Sequence, residues 1–237
     1  MSNESVLKNI YKLEEVWLKH IGCKLVKTDS GITVSSLHNV SEDFNYFLLE
    51  HRPSEVVKYP IVKIRRSDDK TGVLSRSLIR MGFKKGDCDD VQLVYTSSCR
   101  LGHSACHNAD IDDLRIEESK PQRWIENNKY DLNRDFSVGA FSPIRLLKGK
   151  TLVGRINLLR FKRFIGIFDL FIAKEFRGAG IGRWFLANLL RKAPGKTYFI
   201  QTWATNTAAL GLYKSLGFKQ VDRYLYFSKK GDAASLH

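Results

Sequence analysis

Apolar positions in "KLEEVWLKHI" (residues 12–21) recur every three or four places, the period of an amphipathic helix. The next segment, "CKLVKTDSGITVSSL", predicts two strands around an Asp-Ser-Gly turn. "SEDFNYFLLEH" predicts a second helix with Ser41 as its N-cap. "YPIVKI" predicts a strand. "DDKTGVLSRSLIRMGF" predicts a helix closed by Gly82, where a left-handed residue costs little, and "DVQLVYT" predicts another strand. Apolar periodicity then stops. Residues 98–112 read as a polar linker between a first domain, 1–97, and a second, 113–230, with 231–237 as a tail.

The second block opens with a helical segment near "KPQRWIENN". Strands follow in "FSVGAF", "TLVGRINLLRF" and "FIGIFDLFIA", then a helix in "GRWFLANLLRKA" and a strand in "KTYFIQTWA". "NTAALGLYKSL" predicts a helix stopped by Gly217, and "RYLYFSK" a last strand. "MGFKKGD" in the first block is echoed by "LGFKQVD" in the second, each at a helix end before a strand. Helix-Gly-Phe endings are common enough to arise by chance, but the echo is also what a first block that is a reduced relative of the second would leave.

The chain has 237 residues, enough for one large domain or two small ones, and 43% apolar residues to fill a core. No apolar run is long enough to span a bilayer, and the "MSNESVLKNIYKL" start lacks the apolar block of a signal peptide. A cytoplasmic protein without a membrane partner is the expectation. The net charge of +14 asks for an anionic partner. Between Arg145 and Lys192 twelve basic residues face two acids, Asp169 and Glu175, although a solvated basic surface accounts for most of them. Charge alone admits nucleic acid, but no recognition motif accompanies it, so no nucleic-acid partner is expected. A homodimer is admitted by the sequence and not required by it.

Four cysteines do not make a disulfide framework in a chain this long. "CRLGHSACH" sets Cys99, His103, Cys106 and His107 at short spacing, but that spacing matches no common zinc finger. It reads as a polar interdomain loop, and no metal is expected.

The stretch with the most chemistry is "FRGAGIGRW". It lies between a strand ending near Ala173 and a helix starting near Gly182. A helix N-terminus offers N–H groups and partial positive charge, and glycines let an anion touch that backbone. A pyrophosphate suits the place, with Arg177 and Arg183 at its rim. A dinucleotide fingerprint does not fit, because the spacing is G-x-G-x-G and no strand-end acid follows. A P-loop does not fit either, because Gly-Lys-Ser/Thr is absent. A glycine-rich turn that binds nothing is the bland alternative.

Arg177, Gly180 and Gly182 in R-x-x-G-x-G resemble the acyl-CoA signature of the GNAT superfamily of N-acetyltransferases. "DLFIAKEFRGAGIGRWFL" resembles that family's strand, loop and helix, and "NTAALGLYKSLGF" its second signature, so the resemblance covers about residues 113–230. It implies an α/β fold with a mixed, mostly antiparallel central sheet flanked by helices, here preceded by a reduced half-fold. It implies acetyl-CoA as co-substrate. By the same resemblance, Leu170, Phe171 and Ile172 pair with the acetyl and pantetheine amides. Gly178, Ala179, Gly180, Ile181, Gly182 and Arg183 hold the pyrophosphate, Asn206 contacts pantetheine, and Tyr213 is the general acid.

The spacing supports the last two independently. Asn206 is a good N-cap, and Tyr213 lies two turns on, on nearly the same helix face. A phenol is protonated at neutral pH and can donate to a leaving thiolate. Asp169 is a candidate base, but its alternation with Leu170 leaves its direction open and no base is assigned.

The layout of a shortened companion half before the catalytic half resembles the dTDP-fucosamine acetyltransferases of bacterial surface-polysaccharide synthesis. That resemblance implies a nucleotide-linked amino sugar as acceptor. The echo between the blocks puts residues 1–97 beside the second sheet as one wall of its site, with Lys63, Arg65 and Arg66 as candidates for the positive charge that two phosphates need, although a solvated strand end accounts for any one of them. A protein or peptide N-acetyltransferase is the alternative. A module that holds CoA without turnover is a second one.

Overall fold

The computed structural model describes residues 2–36, 45–51, 59–96, 113–119 and 141–229. The Cys99–His107 cluster, Ser41 and the "KPQRWIENN" helix lie outside the described residues.

Helix α1 is Asn3–His20, longer than its apolar period, because Ser2 caps it by accepting from Ser5 N–H at 3.3 Å. Two hairpin strands follow, β1 (Cys23–Lys27) and β2 (Gly31–Ser36). Next, β3 (Tyr46–Leu49) corrects the helix expected over "SEDFNYFLLEH". Its Tyr-Phe-Leu-Leu run is held between β2 and β4 (Ile61–Arg65), with both faces covered. An apolar run buried on both sides has no period by which to distinguish strand from helix.

Helix α2 is Val73–Arg80, shorter than expected. Gly72 starts it with φ +72°, and the buried Asp69 carboxylate takes the N–H groups of Leu74 and Ser75 at 2.9 and 3.1 Å. β5 (Phe83–Lys85) and β6 (Asp90–Thr96) end the first block.

The second block supplies β7 (Leu114–Glu118), β8 (Phe141–Lys148), β9 (Thr151–Phe161) and β10 (Phe164–Ile172). Helix α3 (Ile181–Lys192), β11 (Thr197–Trp203), helix α4 (Thr207–Ser215) and β12 (Lys219–Lys229) complete it. Of the expected strand "FSVGAF" only Phe141 is described, and it begins β8. The pattern missed β8 because Pro143 interrupts it. Pro143 is tolerated where it sits, one place beyond the last β7–β8 register pair, Glu118 with Ile144.

The described strands join one sheet, ordered β1-β2-β3-β4-β12-β6-β11-β10-β9-β8-β7, with β5 added on β12. Among the described residues only β3–β4 and β10–β11 are parallel. Each parallel pair is followed by a helix, then a glycine, then a phenylalanine opening onto a strand. The two glycines, Gly82 and Gly217, have φ +87° and +89°. The sequence echo is therefore also a structural one. The halves exchange strands, since β6 of the first lies between β11 and β12 of the second, and β12 in turn pairs with β4.

α3 and α4 cover one face, packing Phe185, Leu186, Leu190 and Tyr213 with Ile165, Ile167, Leu93 and Tyr95. α1 covers the other, with Ile10, Leu13 and Trp17 against Leu159, Phe199 and Tyr224. Gly166 permits that approach, because a Cβ there would stand 2.8 Å from Leu13 Cδ2. Among the described residues no helix is long and apolar enough to cross a membrane.

Candidate active site

The site begins where two parallel strands part. β10 and β11 pair only from Phe164–Thr197 to Ile167–Ile200. Beyond that point β10 runs on to Ile172 and β11 to Trp203 without pairing with each other. The cause is local. On its β9 side, β10 shifts register between Phe168 and Phe171, and Asp169 within the shift has φ +51°. Asp tolerates this conformation better than most residues. Its carboxylate accepts from Asn157 Nδ2 at 2.8 Å, which anchors the bulge. Burial pushes the Asp169 carboxyl up, against the pull of Asn157 and then of Arg155.

After Ile172 the chain makes a single 3₁₀ turn, Lys174–Phe176, and enters the glycine loop. Gly178 and Gly180 have φ +81° and +80°. Gly180 is the N-cap of α3, and the first helical bond runs from Trp184 N–H to Gly180 C=O at 3.0 Å. No side chain caps this helix. Its first-turn N–H groups have no acceptor within the helix, the arrangement an anion completes. Arg177 is exposed, and its Nε donates to Ile172 C=O at 2.8 Å, which ties the loop to the end of β10. Arg183 donates to Ser215 Oγ and so ties α3 to α4.

Asn206 caps α4, its Oδ1 accepting from Ala209 N–H at 3.1 Å, as its position in the sequence led us to expect. Tyr213 is buried beside Phe218, with ring centroids 5.8 Å apart. Burial pushes its phenol up to about 12.

These pieces line one cavity of about 830 Å³ that runs through the gap between the strands. At one end are Leu170, Phe171, Ile172, Arg177, Gly178, Gly180, Ile181, Gly182, Arg183, Asn206 and Tyr213. Of the residues expected there, only Ala179 is absent from the lining. At the other end the first block supplies the wall. Tyr11 and Glu14 come from α1, Tyr46 from β3, Lys63 and Arg65 from β4, and Asp90 from β6, with Tyr224 of β12 beside them.

Lys63 and Arg65 reach the lining, and Arg66 does not. Both have partners. Lys63 Nζ lies 4.1 and 4.3 Å from the ring centres of Tyr46 and Tyr226. Arg65 pairs with Glu50 at 2.6 Å and lies over the Tyr11 ring at 4.0 Å.

Glu14 and Asp90 join the site without having been singled out in the sequence. A signal for Glu14 was present, because Ile10, Leu13 and Trp17 mark the buried stripe of α1 and position 14 falls within it. Asp90 had none, being the first residue of a strand whose partners are far away in sequence.

The arrangement suits an activated acyl group carried on a pyrophosphate-bearing cofactor. Bare backbone and a helix N-terminus sit at one end, an unpaired strand edge in the middle, and a second chamber lies beyond. Residues 104–218 match the acetyltransferase (GNAT) family. The chain is 34% identical over 128 residues to the N-alpha-acetyltransferase RimI of Mycobacterium tuberculosis, across 51% of this chain and 81% of that one. In structure it resembles a GCN5-related N-acetyltransferase from Kribbella flavida, with a TM-score of 0.63 at 9% identity over 93% of this chain and 95% of that one. It also resembles a tandem GNAT protein of the clavulanic acid biosynthesis pathway, with a TM-score of 0.56 at 10% identity over 89% and 83%. With 81% of the RimI relative covered at 34% identity, and the strand, loop and helix in place, the chain belongs to the GNAT acetyltransferase family, which implies acetyl-CoA as its co-substrate.

Proposed function

We propose that this protein transfers the acetyl group of acetyl-CoA to a small primary amine that enters from the α1 side of the sheet. The reading rests on one observation. A single cavity joins the glycine loop to a chamber with Glu14 and Asp90 in its wall. Carboxylates suit an ammonium group, and a chamber walled by several elements of the first block suits a small molecule.

Acetyl-CoA supplies a thioester carbon open to attack by an amine. The protein's own groups do the rest. The α3 N-terminus and the Gly178–Arg183 backbone hold the pyrophosphate. The unpaired edge of β10 over Leu170–Ile172 orients the pantetheine arm, with Asn206 beside it. Tyr213 keeps its proton throughout the neutral range, because burial raises its phenol, and it can give that proton to the departing sulfur.

Tyr213→Phe removes that donor and little volume. We expect kcat to fall about 10²-fold with CoA affinity nearly kept. The wild-type rate should show no alkaline limb from Tyr213 below about pH 10, since its pKa is pushed up to about 12. Equal rates for variant and wild type would show that another group protonates the thiolate.

A nucleotide-linked amino sugar, as in bacterial surface-polysaccharide synthesis, is the second reading. Lys63 and Arg65 in the lining favour it. Their existing partners and the neighbouring carboxylates weigh against a diphosphate at that place. The RimI relative's name brings in a third acceptor, the α-amino group of a peptide. That match spans 51% of the chain, whereas the chamber wall comes largely from residues before 97. The test is thiol release from acetyl-CoA with ethylamine, glucosamine, a dTDP-linked amino sugar and the tripeptide Ala-Ala-Ala. Preference for the nucleotide sugar or the peptide promotes that reading. CoA binding without thiol release for any amine would leave a binding module.

A further inference from the structure

We propose that Glu14 of α1 binds the acceptor's ammonium group and takes its proton, so that the first block supplies the base of the reaction. The inference rests on the amine-acetylating reading above.

Glu14 sits in the apolar stripe of α1, one residue after the fully buried Leu13, yet it lines the cavity. Its two carboxylate oxygens are each held. Gln92 Nε2 donates to Oε1 at 2.7 Å, and Tyr224 O–H donates to Oε2 at 2.7 Å. The carboxylate is thereby fixed in orientation, and each oxygen keeps lone-pair capacity. Gln92 is fully buried, and its own Oε1 has no partner.

The place is also right. Gln92 of β6 is the register partner of Gln201 on β11, and Gln201 is the first residue past the point where β10 and β11 part. With adjacent strands about 4.8 Å apart, the Gln92 backbone lies about two strand spacings from the free edge of β10, and its side chain holds the carboxylate. A primary amine fits in that interval.

The charged and titratable groups around Glu14 come from four strands. They are Arg65 of β4, Asp90 of β6, Tyr46 of β3 and Tyr224 of β12. Burial pushes the Glu14 carboxyl up to about 7. The Tyr224 hydrogen bond, Arg65 and Gln92 pull the other way, while Asp90 adds to the rise. A base poised there is well matched to an ammonium at neutral pH.

The step is a proton transfer. One N–H bond of the ammonium breaks, its electron pair stays on nitrogen as the attacking lone pair, and the proton joins a Glu14 oxygen. That proton leaves to solvent before the next turnover. After attack the nitrogen sheds a second proton, which passes through solvent to the Tyr213 oxygen and replaces the one that Tyr213 gave to sulfur.

A pair of two-carbon amines of different basicity separates proton removal from mere packing, each compared with itself between wild type and variant. Ethylamine is an ammonium at neutral pH, and 2,2,2-trifluoroethylamine is already a free amine. In Glu14→Gln we expect kcat/KM for ethylamine at pH 7.5 to fall about 10²-fold and for trifluoroethylamine to fall less than about threefold, with the Kd for CoA unchanged. The wild-type inflection near pH 7 should be lost in the variant, whose rate with ethylamine should instead keep rising with pH as free amine forms. Equal losses for both amines would overturn the assignment.

A second readout does not depend on turnover. In protein carrying ¹³C-labelled glutamate, the signal absent from Glu14→Gln should titrate near pH 7 and move down by about one pH unit or more with saturating ethylammonium. No movement overturns the proposal. If the signal moves but neither amine is acetylated, Glu14 stands as an ammonium site and the acetyl-transfer reading fails separately.

The fold is protected in this variant. A carboxyl with a raised folded pKa costs stability as pH rises from its ordinary value to about 7, and the cost persists above that. Glu14→Gln removes that cost and keeps an acceptor oxygen. Its thermal midpoint at pH 8 should match or exceed that of the wild type.

Discussion

A chain beginning at residue 98 is expected to yield no folded acetyltransferase, although it carries the whole glycine loop, Asn206 and Tyr213. The reason is β6. It pairs with β11 from Thr96–Thr197 to Asp90–Trp203 and with β12 on its other edge. Val91, Leu93 and Tyr95 from this one strand are buried in the same cluster as Tyr198, Phe218 and Phe185. Fully burying three such side chains contributes roughly 5–9 kcal/mol at about 1.5–3 kcal/mol each. A domain's entire net stability is about 5–15 kcal/mol. Losing β6 alone therefore removes a contribution comparable to a domain's whole net stability, and losing α1 strips the cover from Leu159 and Phe199 as well. The fragment should show no cooperative thermal transition by circular dichroism, no CoA binding by calorimetry and a strong tendency to aggregate through the bared edges of β11 and β12. Co-expression with residues 1–97 should restore a soluble complex. A monomeric fragment 98–237 that melts cooperatively and binds CoA would show that the exchanged strand is dispensable.

That interdependence was hard to read from sequence, and the reason is physical. Local signals define elements. The hairpin around Asp-Ser-Gly, the helix ends at Gly82 and Gly217 and the Asn206 cap are each decided within a few residues, and each stands where the pattern put it. Strand order is decided by which edges meet, and two strands about 100 residues apart carry no shared local mark. The polar run after residue 97 interrupts the pattern, but the sheet continues from one block into the other. The misread β3 has a related cause. "YFLL" is apolar at every position because both faces are covered, so its period is absent.

The cavity divides in the same way. Its glycine-loop end was legible as a backbone arrangement, because backbone conformation drives residue choice there. Left-handed positions at Gly178 and Gly180 ask for glycine, and an uncapped helix start asks for an anion. The acceptor end was not. Glu14, Asp90 and Tyr224 come from α1, β6 and β12, and only the exchanged strands bring them together. Lys63 and Arg65 were foreseen as candidates for phosphate contact and do reach the lining. What the sequence did not foresee is that tyrosine rings and Glu50 already occupy them. A basic residue next to a strand end says little until its partners are known.

Gly180→Val is expected to weaken CoA binding about 10³-fold. Gly180 holds φ +80°, ψ −2° as the N-cap of α3, and valine is β-branched. The left-handed conformation costs an ordinary residue about 1–2 kcal/mol, and a β-branched one more. The variant relieves that strain by rotating the peptide between the loop and the helix, and the first-turn N–H groups turn with it. Hydrogen bonds to a charged group are worth about 1.5–3 kcal/mol each, so losing two of them accounts for the 10³-fold change. The defect should be confined to ligands that carry the pyrophosphate. S-acetylpantetheine, which lacks it, should be used equally poorly by both proteins, so the preference for acetyl-CoA over it should collapse in the variant. Gly182→Ala gives a gentler companion. Its Cβ would stand at an ordinary 3.5 Å from Ile172 Cγ1, so the fold and thermal midpoint should be kept, and any fall in CoA affinity then reports contact with the ligand. An unchanged Kd for CoA in Gly180→Val, measured by calorimetry on a protein that still melts cooperatively, would move the pyrophosphate away from this loop.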